Sequence, residues 1–160
     1  MILIADTSPL ISLITINKLD ILQKLFPDFL VPLAVWEELD AHVQIKSYTK
    51  ELDFLYQHVK VLKRNPLIIP GIDKGETEAI QLYIELDANI LLIDDKKARS
   101  IAELMDIKCI GTLALLILAK KKGILKTLKP LFNQLLKHNR YFSKKLLNEL
   151  LVMNDEKTLG

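Results

Sequence analysis

The chain of 160 residues has little cysteine, glycine or proline, and each shortage excludes a class of structure. Its one cysteine, Cys109, rules out an internal disulfide and a cysteine-based zinc cluster. Cys109 lies in the largely apolar run 107–110, so we expect a buried strand residue rather than a nucleophile. Five glycines and six prolines are too few for a long flexible linker, and no repeat is present. A single domain over residues 1–160 is therefore expected.

Long hydrophobic runs are also missing. The longest, Leu113 to Ala119, is far shorter than the roughly 18 residues that cross a bilayer. The N-terminus lacks the basic region, hydrophobic stretch and cleavage site of a secretory signal. With 50% apolar and 26% charged residues, the composition is typical of a folded globular domain. We expect a cytoplasmic protein with no membrane partner.

Acidic residues are absent from one long segment of the chain. Between Ile107 and Asn148 there are ten lysines or arginines and no aspartate or glutamate, whereas the rest of the chain is acidic overall. An acid-rich body beside a basic region is typical of a metal-dependent enzyme that acts on a polyanion. For any single lysine, a solvated helix face is an equally good explanation.

Short apolar runs alternate with helical patterns along most of the chain. The first and fourth runs, 2–5 and 90–93, are continuous and rich in Ile and Leu, which indicates strands buried on both faces. Further strands are predicted at 29–31, 59–62 and 107–110. Helices are predicted near 7–14, 17–25 or 20–25, 32–43, 46–58, 73–86, 96–105, 113–122, 125–138 and 142–153. This order predicts an α/β fold with a parallel sheet, helices on both faces and strand 1 in a central position.

Carboxylates directly follow two of these strands. Asp6 directly follows the first apolar run, 2–5, and Asp94 and Asp95 directly follow the run 90–93. In an open α/β sheet, ligands bind beyond the carboxyl ends of the strands. Because like charges at close range need a counter-charge to stay ionised, the pattern predicts a cation site there.

Two more pairs of acids lie on helices next to the strand ends. Periodicity does not separate Glu37 from Glu38 in the helix after Pro32. In the helix after Asp73, Glu76 shares a face with three apolar residues and is favoured as the inward acid, with Glu78 as the alternate. Oxygen ligands without histidine or cysteine suit Mg²⁺ or Mn²⁺ and argue against zinc.

Each of these acids also has a simpler structural role available. Asp6 could cap the helix that starts near Pro9, and one residue of Asp94-Asp95 is expected to cap the following helix. Glu76 stands three residues after Asp73, which is the spacing of a capping box. Thr112 could bond a ligand carboxylate or cap the next helix. Only the ordered set of acids, taken together, favours a metal site over these alternatives.

Five segments of the sequence follow one another as a set of motifs. They are Asp6-Thr7-Ser8-Pro9-Leu10, Val31-Pro32 with Val35 and Glu38-Leu39, Gly75-Glu76-Thr77-Glu78-Ala79-Ile80, Leu91-Leu92-Ile93-Asp94-Asp95-Lys96-Lys97-Ala98-Arg99 and Gly111-Thr112-Leu113. Together these segments resemble PIN-domain proteins of the VapC-like ribonuclease superfamily, most of all the branch with two acids in the third motif and an Asp-Asp pair in the fourth. The resemblance covers roughly residues 1–125, in the expected order and spacing.

The resemblance implies a three-layer α/β/α fold and a ribonuclease that depends on Mg²⁺ or Mn²⁺. Asp6 matches the first acid of the family, Glu38 the second and Asp95 the fourth. Glu76 takes the third position, with Glu78 as alternate, where most relatives have aspartate. Asp6 and Asp95 would bind the metal, while Glu38 and Glu76 would position water, one of them acting as general base.

The same resemblance implies products with a 5′-phosphate and a 3′-hydroxyl. Many relatives are toxins paired with antitoxins, which predicts an antitoxin protein as partner besides the RNA substrate. The helices after about residue 125 are then a C-terminal extension. Two alternatives stay open: a catalytically silent module that binds RNA or protein, and a metal-dependent phosphohydrolase for small molecules.

The remaining candidates are expected to be structural. The three histidines, at 42, 58 and 138, share no ligand spacing and are predicted to be surface residues. Trp36 and Tyr48 could stack on bases, but packing is favoured. Wide apolar stripes on residues 13–25 and 125–136 suit a homodimer or a partner helix as well as a core.

Overall fold

The computed structural model describes residues 1–160 and contains five strands and nine helices. The strands are β1 (Leu3–Ala5), β2 (Val31–Pro32), β3 (Val59–Lys60), β4 (Ile90–Leu92) and β5 (Cys109–Ile110). The helices are α1 (Thr7–Thr15), α2 (Leu19–Leu25), α3 (Leu33–Ala41), α4 (Thr49–Tyr56), α5 (Lys74–Glu85), α6 (Lys96–Leu104), α7 (Thr112–Lys121), α8 (Lys129–Lys137) and α9 (Lys144–Met153). Strands and helices follow the predicted order, and each strand is shorter than its apolar run.

All strand pairs are parallel, and β1 lies in the middle. β1, β4 and β5 form one sheet in that order, while β2 pairs with β3. A parallel bridge between Ile4 and Leu30 joins the two groups. It is supported by hydrogen bonds from the Ala5 amide to the Leu30 carbonyl (3.0 Å) and from the Leu30 amide to the Leu3 carbonyl (2.8 Å). The order is therefore β3-β2-β1-β4-β5, and the predicted central position of strand 1 is confirmed.

The alternation of side chains along the strands divides the core into two layers. Leu3 and Ala5 face a large core of 32 buried residues, whereas Ile4 faces a core of ten. Helices α5 and α6 contribute to the smaller core, and α1, α2, α3, α4, α7, α8 and α9 contribute to the larger one. Apolar side chains therefore cover both faces of the sheet, which explains the continuous runs in β1 and β4. The predicted three-layer α/β/α fold is confirmed.

The C-terminal helices pack on the larger core. Both predicted apolar stripes, 13–25 and 125–136, contribute most of their large side chains to it, so they do not leave a free face for a partner. A homodimer stays a prediction, and the apolar stripes no longer support it. Helix α8 begins later than predicted because the Glu156 carboxylate accepts hydrogen bonds from the amides of Leu128 and Lys129 (2.8 to 3.0 Å). A side chain from far along the sequence thus caps this helix.

The helices are short, ranging from seven residues in α2 to twelve in α5. Helix α7 ends at Lys121, and Gly123 shortly after it has a φ of 76°, which suits the left-handed position after a helix. No helix has both the length and the apolar character that a bilayer crossing requires.

Candidate functional site

Acidic side chains meet at the carboxyl edge of the sheet, where the sequence placed them. Asp6 follows β1, Glu38 comes from α3, and Asp73 and Glu76 come from the start of α5. These four carboxylates line a cavity of about 450 Å³, which we call the acid cleft. The crossovers of a parallel sheet bring the N-termini of α1 and α5 and the side of α3 to the same edge.

Asp6 is the most deeply buried acid of the acid cleft, with 3% of its surface exposed. It occupies the N-cap position of α1 but makes no side-chain cap hydrogen bond. Its Oδ1 atom is buried without any hydrogen-bond partner. Burial raises the pKa of Asp6 well above its usual range, the Thr7 amide opposes this, and the charges of Glu76, Asp73 and Glu38 raise it further. The capping alternative for Asp6 is therefore wrong, and the carboxylate lacks a counter-charge within the protein.

Glu38 is held toward Asp6 by two neighbours. The Thr7 hydroxyl donates a 2.7 Å hydrogen bond to Glu38 Oε2. Gly75 approaches from α5 so closely that a Cβ added there would lie 2.5 Å from Glu38 Oε1. Burial raises the pKa of Glu38, and the Thr7 hydrogen bond lowers it. Glu37, which periodicity could not separate from Glu38, is exposed and does not line the acid cleft.

Glu76 and Asp73 form a capping box as well as lining the acid cleft. The Glu76 amide donates to Asp73 Oδ1 (2.8 Å), and the Asp73 amide donates to Glu76 Oε2 (3.0 Å). Burial raises the pKa of Glu76, the hydrogen bond from the Asp73 amide lowers it, and the charges of Asp73, Asp95 and Glu38 raise it. The sequence indicated Asp73 only as a cap, since its place beside Asp6 depends on the position of α5 against β1. Capping and cleft lining are thus combined in the same two residues.

Glu78 lies away from the acid cleft. It is 7% exposed, and its Oε1 accepts a 3.3 Å hydrogen bond from the Ala34 amide. That amide is one of the unpaired donors at the start of α3. Glu78 therefore ties α5 to α3, and the structure does not bring it together with the other predicted acids.

Asp94 and Asp95 line a second cavity of about 580 Å³, the adjoining cleft, which shares Glu76 with the acid cleft. Asp95 caps α6, as predicted for one of the pair, by accepting a 2.8 Å hydrogen bond from the Ala98 amide. Asp94 accepts from the amide (2.8 Å) and the hydroxyl (2.5 Å) of Thr112. Burial raises the pKa of Asp94, and the Thr112 hydrogen bonds lower it. Glu76 thus lies between Asp6 on one side and the Asp94-Asp95 pair on the other.

The carboxylates do not form a ready-made metal cage. No group of three or more His, Cys, Asp or Glu side chains is arranged to hold one ion. Most of these acids bond to protein donors instead, and in the absence of a cation their charges repel one another. Mg²⁺ usually keeps several waters and uses one or two carboxylates together with substrate phosphates. The unpaired Oδ1 of Asp6, surrounded by further acids, fits that mode of binding.

One residue of the basic segment reaches both clefts. Arg140, between α8 and α9, lines the acid cleft and the adjoining cleft, whereas the nine lysines of residues 107–148 line neither. Lys96 and Lys97 of α6 also line the adjoining cleft. Sequence reasoning missed Arg140 because no local pattern marks it.

The remaining candidates have mixed outcomes. His138 is exposed as predicted, but His42 is half-buried and lines the acid cleft, and His58 stacks on Phe29 with ring centroids 3.9 Å apart. Cys109 is only half-buried because β5 is an edge strand, and burial raises the pKa of its thiol to about 11. A protonated thiol at neutral pH is a poor nucleophile.

The two aromatic candidates pack as predicted. Trp36 and Tyr48 are partly buried against the larger core. The indole of Trp36 donates a 3.0 Å hydrogen bond to the Leu52 carbonyl, which ties α3 to α4. Neither ring lines the acid cleft or the adjoining cleft.

Comparisons with known proteins agree with this fold. A family model described as "DUF3368: PIN domain" matches residues 2–156. Among solved structures, the chain is similar to a PilT N-terminus domain protein from the hyperthermophilic archaeon Sulfolobus solfataricus P2. The TM-score is 0.50 at 19% identity, over 73% of this chain and 92% of that one. No protein of curated function matches. Because the family model spans nearly the whole chain, the protein belongs to the PIN-domain family, which is a nuclease superfamily.

Proposed function

We propose that the protein is a metal-dependent ribonuclease that hydrolyses RNA phosphodiester bonds. The observation that carries the proposal is the buried carboxylate of Asp6, whose Oδ1 has no hydrogen-bond partner, among the acids of a PIN fold. An ionised carboxylate in such a place needs a cation. PIN nucleases generally use divalent metals, and Mg²⁺ or Mn²⁺ suits the all-oxygen donor set.

Asp6 and Asp95 are the residues we assign to direct metal binding, with Glu76 between the two clefts. When bound, the cation neutralises a phosphate oxygen and lowers the pKa of a water ligand. Asp94, fixed by Thr112, is assigned a supporting role beside Asp95. Glu78 is not assigned to the metal, because its carboxylate accepts a hydrogen bond from the Ala34 amide of α3.

Glu38 and Glu76 are assigned to positioning and deprotonating the attacking water. In the metal-free protein, burial raises the pKa of both carboxyls, which is the direction that favours accepting a proton. The Thr7 hydroxyl fixes the orientation of the Glu38 carboxylate. As the family resemblance implies, water attacks the phosphorus and the P–O3′ bond breaks, so the products carry a 5′-phosphate and, once the departing oxygen takes up a proton, a 3′-hydroxyl.

The proposal is tested by incubating the purified protein with RNA in Mg²⁺, in Mn²⁺ and in EDTA. We expect cleavage with either metal, none in EDTA, and loss of cleavage in Asp95→Asn. Asparagine is a good N-cap residue, so this variant should keep α6 intact while removing the charge. Cleavage by Asp95→Asn at the wild-type rate, or cleavage in EDTA, would contradict the assignment.

A second prediction compares Glu38 with its neighbour Glu37. Glu38→Gln should lower kcat/KM for RNA by about 10²-fold, as expected when a general base or its positioning is lost. Glu37→Gln is the matched control, since Glu37 is exposed on the adjacent position of α3. Equal loss in both variants would show that charge near α3, rather than the acid cleft, causes the effect.

Gly75 provides a third prediction, through the space that it leaves for Glu38. Gly75→Ala would bring a Cβ to 2.5 Å from Glu38 Oε1 and displace that carboxylate. We expect kcat/KM to fall by about 10²-fold, as a misplacement of about 1 Å can cause. The melting temperature should not fall, because alanine favours a helix over glycine.

Gly123→Ala is the control for this substitution. Its φ of 76° strains an alanine, yet nothing lies within 4 Å of the added Cβ. We expect lower stability and normal cleavage from this variant. If Gly75→Ala cleaves RNA at the wild-type rate, Glu38 does not act from its present position.

The toxin role is a narrower proposal that rests on family likeness. A small helical antitoxin gene directly upstream would support it, and growth arrest on expression would test it. The two rival functions are separated by simple measurements. Hydrolysis of small phosphate esters without RNA cleavage would favour a phosphohydrolase, and failure to bind Mn²⁺ by calorimetry would favour a silent module.

A further inference from the structure

Arg140 is a buried cation beside the acids, delivered by the segment between α8 and α9. It retains 7% of its surface exposed and lines both the acid cleft and the adjoining cleft. The preceding residue, Asn139, has a φ of 54°, which turns the chain sharply after α8. Arg140 thereby reaches α1, more than 120 residues earlier in the chain.

The protein partners of Arg140 are all neutral. Its Nε donates to Ser12 Oγ (2.9 Å), and its Nη2 donates to the side chain (2.9 Å) and carbonyl (3.2 Å) of Ser8. The remaining nitrogen, Nη1, makes no hydrogen bond within the protein. No carboxylate oxygen lies within 4.0 Å of the guanidinium, so it has no ion pair.

Asp94 and Arg140 attract each other over a distance longer than an ion pair, so the guanidinium still lacks a charged group in direct contact. Buried charges are normally paired, because the loss of hydration disfavours an isolated charge. The attraction to Arg140 favours the ionised form of Asp94, but no carboxylate occupies the hydrogen-bonding positions of the guanidinium. Instead, two serines fix its orientation and leave Nη1 without a protein partner beside the clefts. Such a fixed, partly unsatisfied guanidinium suits a phosphate oxygen.

The next residue adds a stacking surface. Tyr141 is 94% exposed, and the Arg140 guanidinium carbon lies 5.9 Å from the centre of its ring. Tyr141 also lines both clefts, so one face of the ring is open at their rim. Exposed aromatic rings next to a phosphate site stack on unpaired bases in proteins that bind single-stranded nucleic acid.

We propose, building on the ribonuclease function above, that Arg140 and Tyr141 form a subsite for one nucleotide of single-stranded RNA. Arg140 binds a backbone phosphate oxygen, and Tyr141 stacks on the neighbouring base. A base that is paired within a duplex cannot leave its neighbours to stack on the Tyr141 ring, so duplex RNA binds more weakly at this subsite. The C-terminal extension thus supplies residues that bind the substrate, while the carboxyl edge of the sheet supplies the acids.

The test is RNA binding without turnover, measured by fluorescence anisotropy with a labelled single-stranded oligonucleotide in EDTA. Every protein carries Asp6→Asn, which removes one repelling charge from the acid cleft. Tyr141→Ala should weaken binding by roughly 5- to 150-fold, the effect of one lost stacking contact. Tyr141→Phe keeps the ring and should bind normally.

Arg140→Gln tests the phosphate contact. It should weaken binding at low salt and reduce the slope of log affinity against log salt by about 1. The control is Arg64→Ala, which removes a positive charge from an exposed loop anchored to Glu85 at the far end of α5. Its affinity and salt slope should match the parent protein. Circular dichroism checks that Arg140→Gln is folded. If it is not, Tyr141→Ala still tests the subsite, because Tyr141 is exposed and its replacement should not affect folding.

Three outcomes would overturn the subsite: no binding of single-stranded RNA by the parent, equal binding of duplex, or unchanged affinity in both Tyr141→Ala and Arg140→Gln. The assay is independent of cleavage. If wild-type protein cleaves RNA while these variants bind normally, the subsite fails and the proposed function stands. If the variants weaken binding but no cleavage is found, the subsite stands and the nuclease activity fails.

Discussion

Asp6→Asn is expected to abolish metal-dependent RNA cleavage and, at the same time, to stabilise the metal-free protein at pH 7. Cleavage should fall by about 10³-fold or more, because several kcal/mol of transition-state stabilisation depend on the cation that Asp6 holds. The free energy of unfolding should rise by about 1–3 kcal/mol, since asparagine removes a buried charge with an unpaired oxygen. Function and stability thus move in opposite directions.

The pH dependence of this stabilisation follows from the raised pKa of Asp6. In the metal-free protein, the native state binds the Asp6 proton more tightly than the unfolded chain does. The contribution of Asp6 to native stability is therefore greatest below the usual pKa of an aspartate, about 3.9, and is lost as pH rises through the higher native value. Glu156 contributes with the opposite sign, since burial raises its pKa but the hydrogen bonds from the Lys120 side chain and from the amides of Lys129 and Leu128 lower it by more. Subtracting the Asp6→Asn curve from the wild-type curve removes that shared contribution.

The measurement is urea unfolding in EDTA between pH 5 and 8, repeated with Mg²⁺ at neutral pH. The wild type should lose stability relative to Asp6→Asn as pH rises, and it should regain stability with Mg²⁺, which binds only the native state. Asp28→Asn, at an exposed position, should behave like the wild type in every arm. A variant Asp6→Asn that is less stable than the wild type at pH 7 in EDTA would contradict this prediction.

The second large effect separates Glu76 from Glu78, which the sequence left as alternates. Glu76→Gln should lower kcat/KM by about 10²-fold or more, because Glu76 lines both clefts. Its fold should be kept, since glutamine can also complete a capping box with Asp73. Glu78→Gln should cleave RNA at nearly the wild-type rate, because that side chain faces the Ala34 amide.

Glu78→Ala completes the comparison. It leaves the buried Ala34 amide without its acceptor, which should cost about 1–3 kcal/mol of unfolding free energy. The readouts are kcat/KM for RNA and urea unfolding on all three variants. A large loss of cleavage in Glu78→Gln, with Glu76→Gln active, would reverse the assignment of the third acid.

Continuous apolar runs ending in aspartate made the sheet predictable. The runs before Asp6 and Asp94 form adjacent parallel strands, β1 and β4, with their acids at one edge as expected. This part succeeds because strand burial and parallel connectivity leave few arrangements. The roles of the acids depend on more than pattern. Asp6 and Asp95 both follow strands, yet only Asp95 caps its helix.

Long-range packing decided the rest of the site. Glu37 and Glu38 are adjacent in α3. Only contacts with Thr7 and Gly75, which are distant in sequence, place Glu38 rather than Glu37 in the acid cleft. Arg140 meets Ser8 and Ser12 through a turn after α8 that no local signal predicts. The apolar stripes could not be assigned to core or partner from sequence, because both environments reward the same periodicity.

The central claim is that the Asp6 carboxylate holds a divalent cation at the carboxyl edge of the sheet. The most direct test is a crystal soaked in Mn²⁺ and measured for anomalous scattering. We predict a peak about 2–2.4 Å from an Asp6 oxygen, within the acid cleft and on the side of Glu76. Density without an anomalous peak near Asp6, in a crystal whose other sites have taken up Mn²⁺, would contradict the claim.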